Sequence, residues 1–318
     1  MAGMSVFLAR RLLSFLLTVW GASVVVFLTL EVLPGDPALT MLGIDASESA
    51  VAALRQDLGL DRPAPERYVD WIAGLLRGEL GNSYTYKVPV TELIGQRLNV
   101  TLPLAIGAML LATVVAVALG IFAAANHNRV GDYGVMAFSQ MGLAIPNFWF
   151  GILLIVLFSL VWNVFSAGGF PGWDEGFWVS LKALVLPVCT LALGLAAILV
   201  RITRSAVLEV MREDFIRTAR AKGLTRRATL WRHVLRNALI PVVTIMGLLF
   251  ADVMAGTIVI ENVFSLPGVG KLIFGAITNR DLVVVKDVVL LLAALVVTVN
   301  FVVDLLYAVI DPRIRLHD

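Results

Sequence analysis

Asp214-Phe-Ile-Arg-Thr-Ala-Arg-Ala-Lys-Gly-Leu-Thr-Arg-Arg-Ala-Thr-Leu-Trp-Arg-His-Val-Leu-Arg-Asn-Ala-Leu-Ile-Pro241 decides how this chain is organised. It sits between two apolar runs, near 181–200 and 238–260. Across 201–236 there are ten cations, Arg201, Arg204, Arg212, Arg217, Arg220, Lys222, Arg226, Arg227, Arg232 and Arg236, against Glu209, Glu213 and Asp214. A cationic loop of this length is neither core nor a domain. Contact with anionic headgroups explains the charge alone, at about 1 kcal/mol per Lys or Arg. It does not explain the pattern. Gly223 interrupts a helical run, and helical character resumes over Thr225 to Val234. Helix, glycine turn and second helix make a rigid protrusion suited to docking a soluble partner. Nucleic acid is a poor alternative, because the loop abuts two spans and has no recognition fold.

Composition fits this setting. Of 318 residues, 59% are hydrophobic and 15% charged, against about 25% charged in soluble domains. The chain reads as an all-α polytopic membrane protein. Its one cysteine, Cys189, allows no intrachain disulfide and reads as a packing residue. His127, His233 and His317 are isolated, with no metal-ligand spacing.

A spanning helix needs about 20 apolar residues. Six segments qualify, near 12–33, 101–125, 134–163, 181–200, 238–260 and 287–310. The first ends at Leu33-Pro-Gly-Asp-Pro37 and reads as a retained signal anchor, too long for a cleaved signal peptide. Lys and Arg concentrate at Arg10, Arg11, Arg129, 201–236, Arg313 and Arg315. The positive-inside rule then puts both termini and the basic loop in the cytosol, as an even number of spans requires. The expected divisions are 1–33 with the first span, an external region 34–100, and a core 101–318 that includes the loop 201–237.

Residues 34–98 carry nine acids against six bases. Ala50 to Leu58 and Arg67 to Leu76 read as short amphipathic helices of a small cap, with Leu75, Leu76 and Leu80 seating it. Residues 164–180 form a turn-rich loop with interfacial aromatics Trp173, Phe177 and Trp178.

At this point the sequence resembles a known family, the dipeptide/oligopeptide/nickel permease subunits of bacterial ATP-binding-cassette importers. Thr218-Ala-Arg-Ala-Lys-Gly-Leu224 and Asn237-Ala-Leu-Ile-Pro241 match its coupling-loop variant without a change. The broader signature of such permeases is Glu-Ala-Ala, three residues, Gly, nine residues, then Ile-x-Leu-Pro. Aligned on Gly223, only Ala219 and Leu235 agree with it. Further similarity lies in Leu33 to Pro37, Leu58 to Pro63, Tyr68, Trp71, Gly81 to Ser83, Pro89-Val90, Arg97 to Leu104 and Pro146 to Trp149. It continues in Glu261 to Gly270, Asp304 to Tyr307 and Asp311 to Arg315. The resemblance thus covers nearly the whole chain.

The resemblance implies a type I importer permease in the cell inner membrane. It implies pairing with a second homologous permease, two cytosolic ABC ATPase subunits below and an external solute-binding protein above. ATP and magnesium would be held by the ATPases, so no cofactor is expected in this chain, nor any catalytic residue. Thr218, Ala219, Arg220, Ala221, Lys222, Gly223 and Leu224 are the expected ATPase-coupling residues. Arg220 and Lys222 are expected to meet acidic groups, and Gly223 to make the tight turn. Cargo within the resembling family includes dipeptides, oligopeptides, glutathione, nickel chelates, opines and some sugars; peptides lead by family weight.

Ser265-Leu-Pro-Gly-Val-Gly-Lys-Leu272 looks like a phosphate loop. It lacks the first glycine, and Leu272 stands where Ser or Thr must bind magnesium. Asp252 lies in the fifth span, with Gly247, Ala251, Ala255 and Gly256 nearby. These small residues read either as close helix packing or as a cavity wall of the translocation path, to which Asn300 is added. Asp304, near the cytosolic end of the sixth span, is read as snorkelling or as pairing with a nearby arginine, with Arg201 and Arg204 the candidates. Pro146 and Pro187 are expected to kink spans three and four. A self-contained secondary transporter is the alternative. It would need coupling residues at the midplane and usually an inverted repeat, and the sequence offers only Asp252 at that depth and no evident repeat. The external acids Asp57, Asp61, Glu66, Asp70 and Glu79 are expected to dock the binding protein.

Overall fold

A computed structural model describes residues 2–32, 37–43 and 46–310. The expected helix stop at Leu33 to Pro37 lies largely outside the described residues, as do Asp311 to Arg315. Among the described residues, five helices are long and apolar enough to cross a membrane, and counting one bent pair as a single span gives six. The spans are α1 (Ala2–Val32), α5 (Val90–Ala125), the pair α6 (Val130–Ala144) and α7 (Asn147–Leu154), α8 (Phe177–Val210), α11 (Leu235–Val263) and α13 (Leu282–Ile310). Between them lie α2 (Pro37–Leu42), α3 (Glu48–Asp57), α4 (Ala64–Arg77), α9 (Asp214–Ala221), α10 (Arg226–Thr229) and α12 (Val269–Thr278). Helices suit a bilayer, since each satisfies its own backbone.

The third span differs from the expected 134–163. It breaks by 99° between α6 and α7. Pro146 has no N–H to offer Gly142, and Ile145 before it is extended, at φ −85° and ψ 122°. The α7 helix then ends in a π-type turn over Ile155–Val161. Pro103, Pro187 and Pro241 stay inside continuous helices. Spans two, four and five also run longer than expected: α5 starts at Val90, α8 covers Phe177–Val210, and one helix runs through Arg226–Val263.

The chain forms two compact units. The larger holds Met1–Met4, Leu102–Leu266 and Val299–Asp318. Within it α8 is central, with 61% of its most apolar window buried, and α6, α7 and α11 pack against it. Lipid is as apolar as leucine, so close approach of small residues drives such packing. A Cβ at Gly120 would stand 2.6 Å from Thr203 Cβ, and one at Gly247 2.9 Å from Val303 Cγ2. Ser139 Oγ donates to the Ala197 carbonyl at 2.5 Å, fastening α6 to α8. The aromatics Phe170, Trp173, Phe177 and Trp178 pack in series, edge-to-face at both ends and stacked at Trp173–Phe177, with neighbouring centroids 5.3–6.0 Å apart.

The second unit holds Ser5–Thr101 and Pro267–Thr298. The two amphipathic helices of the 34–98 region are α3 and α4, both present close to their expected limits. Its buried anchor is Trp71; of the expected leucines, Leu75 and Leu80 are half-buried and Leu76 is 85% exposed. Trp71 Nε1 donates to Asp287 Oδ1 at 2.6 Å. Lys286 Nζ lies 5.3 Å from the indole centroid, and Phe27 and Tyr68 pack around it. Tyr68 bonds Ser23 at 2.8 Å, and Arg67 pairs with Glu31. Ser83 Oγ and Thr85 N–H both donate to the buried Asp281, at 2.5 and 2.9 Å. The motif residues Tyr68, Trp71 and Ser83 thus tie the 34–98 segment to α1 and to the start of α13.

Trp71→Phe tests this anchor. Asp287 is 2% exposed, and its Oδ2 already finds no partner among the described residues. Losing the indole donor should destabilise the protein by about 1–3 kcal/mol. Thermal unfolding of the purified protein in detergent reads this, and an unshifted midpoint would contradict it.

Candidate functional site

The basic loop begins where α8 ends. The α9 helix places Asp214 in its first turn and Arg220 in its last, as the helix dipole favours. Lys222 caps it, and Gly223 follows at φ +86°. Gly223 N–H reaches the Arg220 carbonyl at 2.9 Å, and Leu224 N–H the Ala219 carbonyl at 3.3 Å. These two bonds are a Schellman stop, which asks for glycine at the left-handed position. Thr225 Oγ1 then accepts from Ala228 N–H at 3.3 Å and opens the next helix. That helix runs through α10 and a π-type turn over Leu230–Val234 into α11.

The protrusion is seated by apolar contact. Ile216 is fully buried in a cluster with Ala124, Ala206, Val207, Val234 and Ala238. Burying one isoleucine contributes about 1.5–3 kcal/mol. Ala219, one turn along the same face, is also buried. The expected coupling set therefore divides. Thr218, Arg220, Ala221, Lys222 and Gly223 are exposed, Leu224 is half-buried, and Ala219 turns inward. The exposed face also presents Phe215, 44% accessible, a residue sequence reasoning did not single out.

Nine of the ten loop cations are exposed. The exception is Arg204. It grips Asp132 of α6 through Nε–Oδ1 at 2.5 Å and Nη2–Oδ2 at 2.6 Å. Asn128 N–H donates to Asp132 Oδ2 at 3.0 Å, and His127 Nδ1 stands 3.3 Å from the same oxygen. Arg204 was a candidate partner of Asp304; the structure gives it to Asp132 instead. Asp132 opens a span after the turn Asn126 to Arg129, and nothing local in the sequence marks it as buried. It is 1% exposed. A cleft of about 520 Å³ lies beside this cluster and the start of α9, lined by Arg204, Glu209, Arg212 and Glu213 among others.

The second expected site is the membrane path. Asp252 and Ala255 are exposed on α11, and Ala251, Gly256 and Asn300 are half-buried. The small-residue stripe serves two ends. Gly247 and Gly256 are packing points, since a Cβ at Gly256 would lie 3.0 Å from Leu191. Asp252 instead lines a cavity of about 320 Å³ beside the break at Pro146-Asn147.

The family model for the binding-protein-dependent transport system inner membrane component matches residues 116–316. A companion model for the N-terminal part of such membrane components matches 4–105. The chain belongs to the binding-protein-dependent transport system inner membrane components. It is a multi-pass inner membrane protein and a transport permease subunit. The chain is 38% identical over 312 residues to the "Probable peptide ABC transporter permease protein y4tP" of Sinorhizobium fredii, covering 98% of this chain and 100% of that one. It is 39% identical to the "Di/tripeptide transport system permease protein DppB" of Pseudomonas aeruginosa, covering 97% and 98%. Among solved structures, the inward-facing MetNI methionine ABC transporter aligns with TM-score 0.58 at 17% identity, over 69% of this chain and 96% of that one. An amino acid ABC transporter aligns at 0.50 and 16%, over 68% and 93%. At those identities the likeness concerns the fold.

Proposed function

We propose that this permease forms half of the path of an ATP-driven importer for di- and oligopeptides or similar small solutes. It works beside a second homologous permease, two cytosolic ABC ATPases and an external solute-binding protein. The observation that carries this reading is the rigid basic protrusion around Gly223: seated by Ile216, stopped by a Schellman turn and exposed at Thr218, Arg220, Ala221, Lys222 and Gly223. Peptide cargo is supported by the names of relatives that match this chain almost end to end.

In this account the 34–100 region faces outward, and both termini and the 201–237 loop face the cytosol, as the Lys and Arg bias supports. The exposed face of α9 sits in a groove of one ATPase. ATP closes the ATPase pair and carries α9 with it. Because α9 is fastened to the spans through Ile216, the displacement passes to α5, α8 and α11. The spans shift from inward-facing to outward-facing because the ATPases contact the two states differently. Arg220 and Lys222 supply charge toward acidic ATPase groups.

Uptake of a radiolabelled dipeptide into proteoliposomes holding the full complex tests the reading. Accumulation should require ATP, both ATPases and the binding protein together. Equal accumulation by this chain without ATP would instead establish a secondary transporter.

Binding-protein docking on the outer side is separately testable. Asp57, Asp61, Glu66, Asp70 and Glu79 are all exposed, though Arg62 pairs with Glu66 at 3.4 Å and Asp70 at 2.6 Å. Charge reversal at Asp57, Asp61 and Glu79 should lower binding-protein-stimulated ATPase activity several-fold, through slower association. Unchanged stimulation would remove these acids from the docking surface.

A further inference from the structure

We infer that the cavity between the broken third span and Asp252 is a subsite for the cationic amino group of the cargo. This rests on the importer reading and names what one part of the path recognises.

Three observations converge on it. Asp252 lies eleven residues before the end of α11 at Val263, about 16 Å along the axis at 1.5 Å per residue, and so well inside the hydrocarbon region. An ionisable group at such depth is costly to keep. It is the one ionisable side chain among the residues lining the cavity, whose walls otherwise include Leu143, Ile145, Leu191, Leu195 and Ile198. The second observation is the 99° break. Interrupted backbone at membrane depth is tolerated where it is buried in protein or lines a watery cavity. The α6 ladder ends with Ile145 N–H on the Met141 carbonyl. Pro146 then has no proton for the Gly142 carbonyl, and Gly142 lines the same cavity. The third is polarity. The Asp252 carboxylate stands in a largely apolar wall with the neutral Asn147 amide and no cationic side chain among the lining residues, so the charge of the site favours an ammonium over a second carboxylate. At about 320 Å³ it falls at the small end of ligand cavities, enough for the amino-terminal residue of a peptide. The Asn147 amide packs beside Gly194, where a Cβ would lie 3.1 Å from its oxygen; a side chain at 194 would press on this wall.

The test has two arms. In a Cys189→Ala background, Asn147→Cys places a thiol on the cavity wall. A cationic methanethiosulfonate should modify it about tenfold faster than an anionic one, as a focused negative field requires, and Asp252→Asn should erase that preference. In proteoliposomes of the full complex, the uptake ratio of Ala-Ala to N-acetyl-Ala-Ala should fall about tenfold in Asp252→Asn, the scale of one charge-assisted hydrogen bond, and return in Asp252→Glu. No charge preference at the introduced thiol, or a retained uptake ratio in Asp252→Asn, would overturn the subsite. A wild-type complex that takes up neither peptide, while the introduced thiol keeps its charge preference, would overturn the peptide-importer reading and the cargo assignment with it.

Discussion

Gly223→Trp should lower ATP-dependent uptake by the assembled transporter at least about tenfold, while Gly223→Ala should leave it within about threefold of wild type. The contrast separates two effects at one position. Gly223 holds φ +86°, where any side chain costs about 1–2 kcal/mol of local strain. Alanine and tryptophan share that cost. Within this chain nothing lies within 4 Å of a Cβ at Gly223, so a large side chain meets no intramolecular obstacle. Whatever tryptophan loses beyond alanine is lost against a partner. If α9 sits in an ATPase groove, an indole at its C-terminal turn displaces it. Uptake should then fall at least about tenfold, as at the centre of an interface. Uptake and retention of the ATPases on purification should fall together. Equal uptake by Gly223→Trp and wild type would sink the docking account. Equal loss in both variants would show that backbone strain alone disables the loop.

Asp132→Ala should be among the most destabilising single changes in the larger unit. It removes the bidentate partner of Arg204, whose side chain is 20% exposed, and leaves the guanidinium at the wall of the polar cleft without its carboxylate. Losing charge-assisted hydrogen bonds of this kind costs about 1.5–3 kcal/mol. The effect reaches function as well, because Arg204 lies beside Thr203, against which Gly120 packs. This crossing stands two turns before the loop that begins after Val210. Thermal unfolding in detergent should show a drop of several degrees for Asp132→Ala. The exchanged pair Asp132→Arg with Arg204→Asp should recover part of it. A single mutant that melts with wild type would mean the pair carries no net stability.

Much of this architecture is legible in the sequence because membrane spans are long and apolar. Their number, the amphipathic helices before Val90, and the helix-glycine-helix form of 214–234 follow from periodicity and from Gly223. That span three bends at Pro146 is legible, but not that it breaks by 99°, since Pro187 and Pro241 sit in similar apolar runs without ending their helices. What distinguishes Pro146 is the extended residue before it, which the proline ring favours locally, and the Asn147 amide packed on Gly194, a tertiary contact. The polar pairs were hidden for a related reason. Asp132 with Arg204, Trp71 with Asp287, and Ser83 with Asp281 join residues 72, 216 and 198 positions apart, and nothing local marks either member. Spacing also failed to sort Ala219 from Arg220: both belong to one motif, yet one seats α9 and the other faces outward.

The central claim is that Thr218 to Gly223 is the surface through which a soluble ATPase drives this permease. Purification of the tagged chain from its own membranes in mild detergent, with mass spectrometry of what accompanies it, tests that claim most directly when wild type and Gly223→Trp are run side by side. The account predicts a second six-span permease with both forms, and ABC ATPases with wild type alone. ATPases retained equally by both forms, or a wild-type chain that purifies alone and transports without ATP, would contradict it.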